Sequence, residues 1–348
     1  MSDTPLPYDS FLLVSFGGPE GPDDVIPFLE NVLRGKNVPR ERMMEVVEHY
    51  QHFGGVSPIN EQNRQLLAAI KSEFADSGIE LPVYWGNRNW APYFEDTLRQ
   101  MRDDGCKRSL AFFTSMFSSY SGCRQYRENI IAAQTAVGDD APAVEKVRMG
   151  FNHPLFIETL AENLRTAAKS IDADVTKTQV LFTAHSIPYS MSDHCDYERQ
   201  LNEACRLVAD MAGADHWKLV YQSRSGPPQQ PWLEPDVCDA IAELDESSPL
   251  GSLIVMPIGF VSDHMEVLFD LDEEAAELCK SRGIKMARAA TAGVSPKFVS
   301  MIRELVQERL SDDPMRRALG DLGPWHDVCP ADCCLYTPQR RPPSRNEG

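Results

Sequence analysis

Three thiols crowd into six residues near the end of the chain, Cys329-Pro330-Ala331-Asp332-Cys333-Cys334. A polar C-terminal stretch gives them no packing rationale, whereas a soft metal or an iron–sulfur cluster would use them. A cluster needs four thiolates, so one must come from elsewhere, and zinc is the alternative metal. A second stretch, Ser262 to Glu274, sets Glu266, Asp270 and Glu274 four residues apart on one helical face, beside an apolar stripe of Val267, Leu271, Ala275 and Leu278. Like charges at that spacing repel, so the row is either a solvated face or a cation route. For Glu266 alone a plainer reading is a capping box, with Asp263 as N-cap and Glu266 three residues on. His185 closes the apolar run Val180–Ala184. There an imidazole can ligate a metal, accept a proton near neutral pH, or serve as a hydrogen-bonded structural residue.

Short apolar, β-rich runs must carry these groups: 11–16, 82–85, 109–117, 179–183, 217–222, 252–260 and 285–291 read as strands. Helical periodicity occupies 22–33, 58–74, 92–102, 124–133, 155–169, 193–211, 236–244, 263–280 and 296–310. The alternation predicts an α/β fold with parallel sheets wound on both faces. In such sheets ligands sit beyond the carboxyl ends of the strands, and those ends are unusually polar or glycine-rich. No internal repeat is visible, and the polar, Pro- and Arg-rich end 337–348 reads as a mobile tail. The expected division is 1–152, 153–325 and a cysteine-bearing tail, 326–348.

The chain has 348 residues, enough for about two domains with substantial cores. A formal net charge of -18 argues against a nucleic-acid partner. The N-terminus shows no basic region followed by an apolar stretch, and no apolar run is long enough to span a bilayer, so a cytoplasmic protein is expected. Nine cysteines, an odd number, argue against a disulfide framework, and Cys205 and Cys238 sit on apolar helical stripes as core fillers. The Gly17-Gly18-Pro19-Glu20-Gly21 turn does not fit a dinucleotide fingerprint, and neither a P-loop nor a G-x-S-x-G elbow occurs.

Five segments together carry a family likeness: 11–19 (FLLVSFGGP), 54–60 (GGVSPIN), 184–188 (AHSIP), 221–228 (YQSRSGPP) and 257–266 (PIGFVSDHME). Spanning nearly the whole chain in order, they resemble the ferrochelatases, most closely the actinobacterial type that inserts ferrous iron into coproporphyrin III to make coproheme. The resemblance implies two Rossmann-like domains with a porphyrin cleft between them. It makes His185 and Glu266 the catalytic pair at the substrate iron, overriding the capping reading of Glu266, with the carboxylate across the cleft from the imidazole. Asp270 and Glu274 become a relay for cations or protons. Ser57 and Tyr126 match porphyrin-contacting positions, and Arg34 and Lys36 are weaker candidates for its propionates. Phe16 stands where some relatives carry an iron-ligating tyrosine, which excludes a tyrosinate ligand here. Some members hold a 2Fe-2S cluster on one mid-chain and three late cysteines, positions that Cys123, Cys329, Cys333 and Cys334 fit, although the spacing differs from animal members.

The resemblance also implies haem biosynthesis as the setting, with transient contacts to neighbouring enzymes of that pathway. Its nearest rivals are a protoporphyrin IX ferrochelatase and a cobalt chelatase. From another class come a non-catalytic haem carrier and an iron–sulfur redox protein, but a carrier needs an axial ligand and no proton relay, so Glu266 beside His185 favours an enzyme.

Overall fold

The computed structural model describes residues 7–36, 38–226, 229–244 and 251–336. The expected tail 337–348 and the two prolines closing the 221–228 segment lie outside the described residues. The chain runs β1 (Ser10–Ser15), α1 (Val25–Val32), α2 (Arg40–His52), α3 (Ile59–Asp76), β2 (Val83–Asn87), α4 (Phe94–Asp103), β3 (Arg108–Phe113), α5 (Gln125–Val137) and β4 (Ala143–Lys146). It continues with α6 (Pro154–Ser170), β5 (Gln179–His185), α7 (Tyr189–Ser192), α8 (Tyr197–Ala212), β6 (His216–Gln222), α9 (Val237–Ala242) and β7 (Ser252–Met256). It ends with α10 (Met265–Val267), a π-helical stretch (Leu268–Ala275), α11 (Ala276–Ser281), β8 (Lys285–Arg288) and α12 (Pro296–Leu310).

Two four-stranded, wholly parallel sheets result, ordered β2-β1-β3-β4 and β6-β5-β7-β8. The same winding occurs twice, a repeat that the sequence hides because pairing order leaves no periodic trace in residue types. Each sheet is covered by helices, so its central strands are apolar on both faces: all six residues of β1 are buried. One core cluster reaches from Phe11 and Leu13 on β1 through Phe156 and Leu160 on α6 to Phe182 on β5 and Phe298 on α12. Helix α12 packs on both α6 and α3. It is tied to the first half of the chain by Arg303 Nε to Glu73 at 2.8 Å, Arg309 to Glu145 at 2.7 Å, and a buried pair between Arg148 Nε and Glu308 at 2.6 Å.

Several elements depart from the sequence reading. The strand expected over 252–260 stops at Met256, where Pro257 has no N–H for the ladder. That expected over 109–117 leaves the sheet after Phe113. Strand β4 was not expected; it is a four-residue edge with no fully buried member and a Glu-Lys pair. Helix α2 was also missed, because it is polar on most faces and buries only Met43 and Val47.

Candidate functional site

In each sheet the strand order reverses beside its first strand, so the crevice at the carboxyl ends of β1 and β3, or of β5 and β7, is where a ligand belongs. His185 is the last residue of β5. Its partner segment crosses close by: a Cβ on Gly259 would stand 2.7 Å from Ala184 Cα, so only glycine lets this backbone pass. The His185 carbonyl accepts from the Tyr197 hydroxyl at 3.0 Å. The ring Nδ1 lies 2.5 Å from the Ser186 carbonyl oxygen, to which its N–H donates, so Nε2 is the nitrogen turned to the site. Nε2 is 3.6 Å from Glu266 Oε2, both side chains being partly open to solvent. The pair is therefore not split across the cleft: both residues come from the second sheet's half, and the carboxylate sits beside the imidazole.

The Asp263–Glu266 motif divides its labour differently from a capping box. His264, not Asp263, caps the helix, its Nδ1 accepting from the Glu266 backbone N–H at 3.2 Å. Burial lowers the proton affinity of His264, against the pull of Glu266, so this ring stays neutral and can accept. Asp263 instead pairs with Arg288 at 3.1 Å while its backbone N–H donates to Gln62 Oε1 at 2.8 Å. The Glu266 carboxylate faces both rings, with Oε2 4.0 Å from His264 Nδ1 and 3.6 Å from His185 Nε2.

Beyond Glu266 the helix widens. In an α-helix each four-residue step overshoots a full turn by about 40°, which would swing Glu274 away from Glu266; i→i+5 bonding over Leu268–Ala275 absorbs that excess. Val267, Leu271 and Ala275 point inward. Asp270 accepts from the Ser223 hydroxyl and from Gln222 Nε2, the latter at 3.1 Å. Burial, reinforced by the negative charge of Glu266, pushes its carboxyl up to about 7, even though the two hydrogen bonds oppose the rise. Glu274 is raised as well, by burial and Asp236, with His49 acting against. From the other half of the chain α2 leans on this stretch: the His49 ring stacks on Phe269 with centroids 3.9 Å apart, and His52 Nε2 meets Glu273 at 2.7 Å.

Of the other expected ligand-contacting residues, Phe16 and Ser57 lie at the end of β1. Phe16 is half-buried, edge-on to Phe28 at 6.2 Å. Ser57 is buried against the Gly17-Gly18 turn, where a Cβ on Gly18 would come within 2.7 Å of Ser57 Cβ. Tyr126 is buried against Phe113, and burial pushes its phenol up to about 12. Arg34 lies on the surface with Asn31, and Lys36 is exposed as well.

The thiols do meet. Cys123 lies on a π-turn (Tyr120–Arg124) before α5. Its thiol donates to Cys329, which holds Cys329 down at about 7 and raises Cys123 well above its ordinary value. Cys333 and Cys334 place their sulfurs 3.5 Å apart. Arg124 pins this tail to α5 by donating to the carbonyls of Ala331 and Cys333, both at 2.9 Å. Sequence reasoning missed two neighbours. The ligand atoms of His326, Cys329 and Cys333 all lie within 4.8 Å of one another, and Cys195 is close enough to act on Cys334. His326, three residues before Cys329, was legible as metal-ligand spacing; Cys195 arrives only through the fold.

Compared with known proteins, residues 8–310 match the family described as Ferrochelatase. A Rhodopirellula baltica protein named Ferrochelatase is 74% identical over 99% of this chain and 97% of that protein. A Streptomyces coelicolor protein named Coproporphyrin III ferrochelatase is 50% identical over 97% of this chain and 95% of its own. Among solved structures, SirB from Bacillus subtilis with Fe3+ aligns with a TM-score of 0.54 at 13% identity, covering 87% of this chain and 96% of that one, and shares the fold. Among the described residues no helix is long and apolar enough to cross a membrane.

Proposed function

We propose, from the premise that this chain belongs to the ferrochelatase family and is an enzyme inserting iron into a porphyrin, that its porphyrin is coproporphyrin III and its product coproheme. The observation that carries the chemistry is the 3.6 Å approach of His185 Nε2 to Glu266 Oε2 at the end of β5, with Asp270 poised near neutrality behind it. The choice of porphyrin leans on the half-identical Streptomyces relative matched over nearly its whole length, since the name of the Rhodopirellula relative leaves the porphyrin open.

Metallation must free the pyrrole nitrogens of two protons and the ferrous ion of its water. With Nδ1 turned to the Ser186 carbonyl, His185 offers Nε2 to the site, and in the neutral ring that nitrogen takes a pyrrole proton. Glu266 takes the proton on or touches the incoming iron. Asp270, neither firmly acidic nor firmly protonated at pH 7, passes charge towards Glu274 and the surface. Phe16, Ser57, Tyr126 and Arg34 are assigned to the porphyrin, with Phe16 offering a flat apolar face and no ligand atom. Contacts around the ring offset the cost of distorting it towards the transition state. In this reading residues 1–152 and 153–325 are two domains flanking the cleft.

A 2Fe-2S cluster is assigned to Cys123, Cys329, Cys333 and Cys334. Cys123 lies beside Cys329 and Cys333 beside Cys334, while Cys329 and Cys333 also come within 4.8 Å of each other and of His326, so these thiols would hold the group. Bound there, the group supplies a one-electron couple and a tie between the start of α5 and the C-terminal tail. A reducing cytoplasm, the proposed location, keeps such cysteines as thiols.

The test is anaerobic ferrous-iron insertion by the purified protein into coproporphyrin III and protoporphyrin IX side by side, with His185→Ala as control. Fast metallation of coproporphyrin III alone, lost in the variant, supports the proposal. Preference for protoporphyrin IX transfers the protein to that substrate, and metallation of neither by folded protein overturns the catalytic reading in favour of a haem carrier.

A further inference from the structure

We propose that His326, Cys329 and Cys333 form a binding site for one divalent transition-metal ion, of the zinc or ferrous class, on a ligand set different from the four thiols assigned to the cluster. The inference is independent of the porphyrin reading and concerns the protein before any sulfide is built into its C-terminal tail.

The ligand atoms of these three side chains all lie within 4.8 Å of one another, and among the described residues no other three His, Cys, Asp or Glu side chains converge in this way. Tetrahedral coordination, with metal–sulfur bonds of about 2.3 Å and metal–nitrogen bonds of about 2.0 Å, sets donors roughly 3.5–3.8 Å apart. The three atoms therefore need to close by little more than about 1 Å to share one ion. Their spacing, His-x2-Cys-x3-Cys, is that of a short loop turning back on itself, and the Cys333 N–H closes the turn by donating to the Pro330 carbonyl at 3.1 Å.

Two arginines hold the loop in that shape. Arg316 donates to the Trp325 carbonyl at 2.6 Å and pairs with Asp327 at 3.1 Å, gripping the residue on either side of His326. The Trp325 ring packs edge-on to the buried Phe151 at 5.7 Å and lies 5.3 Å from the His326 ring. Arg124 grips the other end through the carbonyls of Ala331 and Cys333, both at 2.9 Å. The backbone freedom that an ion would otherwise have to remove is thus already given up, which favours binding. Cys123, which donates to Cys329, and Cys334, 3.5 Å from Cys333, stand beside this set rather than in it. One imidazole and two thiolates suit a zinc or ferrous ion and leave the fourth corner of a tetrahedron for water. A cluster needs inorganic sulfide and the thiols of Cys123 and Cys334 as well, so the two occupants call on different residues.

The experiment titrates Co2+, as a spectroscopic stand-in, into full-length protein freed of iron and sulfide under anaerobic conditions, for wild-type, His326→Ala, His326→Cys, Cys329→Ser and Cys334→Ser. One equivalent should produce a near-ultraviolet thiolate-to-cobalt absorption, which an ion held by His185 and Glu266 cannot produce, and zinc should displace it. His326→Ala is expected to weaken binding by at least about tenfold, since disturbing even an outer partner of a metal ligand costs that much. Cys329→Ser should abolish the absorption, and Cys334→Ser should leave the affinity unchanged. His326→Cys should restore binding with a stronger absorption, three sulfurs replacing two. Equal affinity in wild-type and His326→Ala, or a loss in Cys334→Ser as complete as in Cys329→Ser, overturns the site, the latter because the ion would then be using the cluster's thiols. Reconstitution with iron and sulfide is read separately: failure of the wild-type to take up a cluster would overturn the four-thiol reading and leave the His326 site standing.

Discussion

Replacing Asp270 with Asn keeps an oxygen able to accept from Ser223 and Gln222 but deletes a proton site held at about 7. In the unfolded chain the same carboxyl titrates at its ordinary 3.8. Below that lower value both states are protonated and the site costs nothing. As pH rises towards 7 the unfolded chain ionises while the folded protein keeps its proton, so stability falls; above 7 both are ionised and the loss is complete. At roughly 1.4 kcal/mol per unit, the wild-type should lose about 2–3 kcal/mol between pH 5 and pH 8 that Asp270→Asn does not lose. Urea unfolding of both proteins at the two pH values reads this as a shift in midpoint at constant slope. A stability difference between them that is the same at pH 5 and pH 8 would refute an enclosed, largely protonated Asp270. The same carboxyl must ionise before it can receive a proton. Metallation by the wild-type should therefore rise with pH through about 7, a limb that Asp270→Asn should lack.

Three further outcomes follow from the geometry. Gly18→Ala drives a methyl group to within 2.7 Å of Ser57 Cβ and Ile59 Cγ2. A cost of about 1–3 kcal/mol is expected, visible as a lowered Tm; an unchanged Tm would show that α3 yields freely. Glu308→Leu leaves the wholly buried Arg148 without its carboxylate and should destabilise by about 3–5 kcal/mol. Arg148→Met combined with Glu308→Leu should recover much of that, and additive losses in the double variant would count against the pair acting as a unit. Cys329→Ser should abolish visible absorption and acid-labile sulfide in anaerobically purified protein, whereas one equivalent of zinc in the wild-type would replace the cluster assignment with a mononuclear site.

The central strands were readable because burial on both faces writes continuous apolar runs, as in 11–16 and 179–183. Elements that bury little were not: β4 and α2 carry their charges outward and are fixed by neighbours rather than by their own pattern. The acidic row was legible as spacing, but the π-helical widening that keeps it aligned was not, since i→i+5 bonding has no composition of its own. His185 and Glu266 stood out as residue types at a strand end and a helix start, while their 3.6 Å approach to each other needed the fold.

The reach of α12 back onto the first sheet bears on how the polypeptide matures during synthesis. Residues 8–146 contain a complete sheet, yet the charge on Arg148 finds its acid only at Glu308, and Glu73 and Glu145 find their arginines at 303 and 309. Emerging from the ribosome, the first half meets these partners only after residues 303–309 have been made. A chain stopped before residue 303 would leave Glu73, Glu145 and Arg148 without these partners.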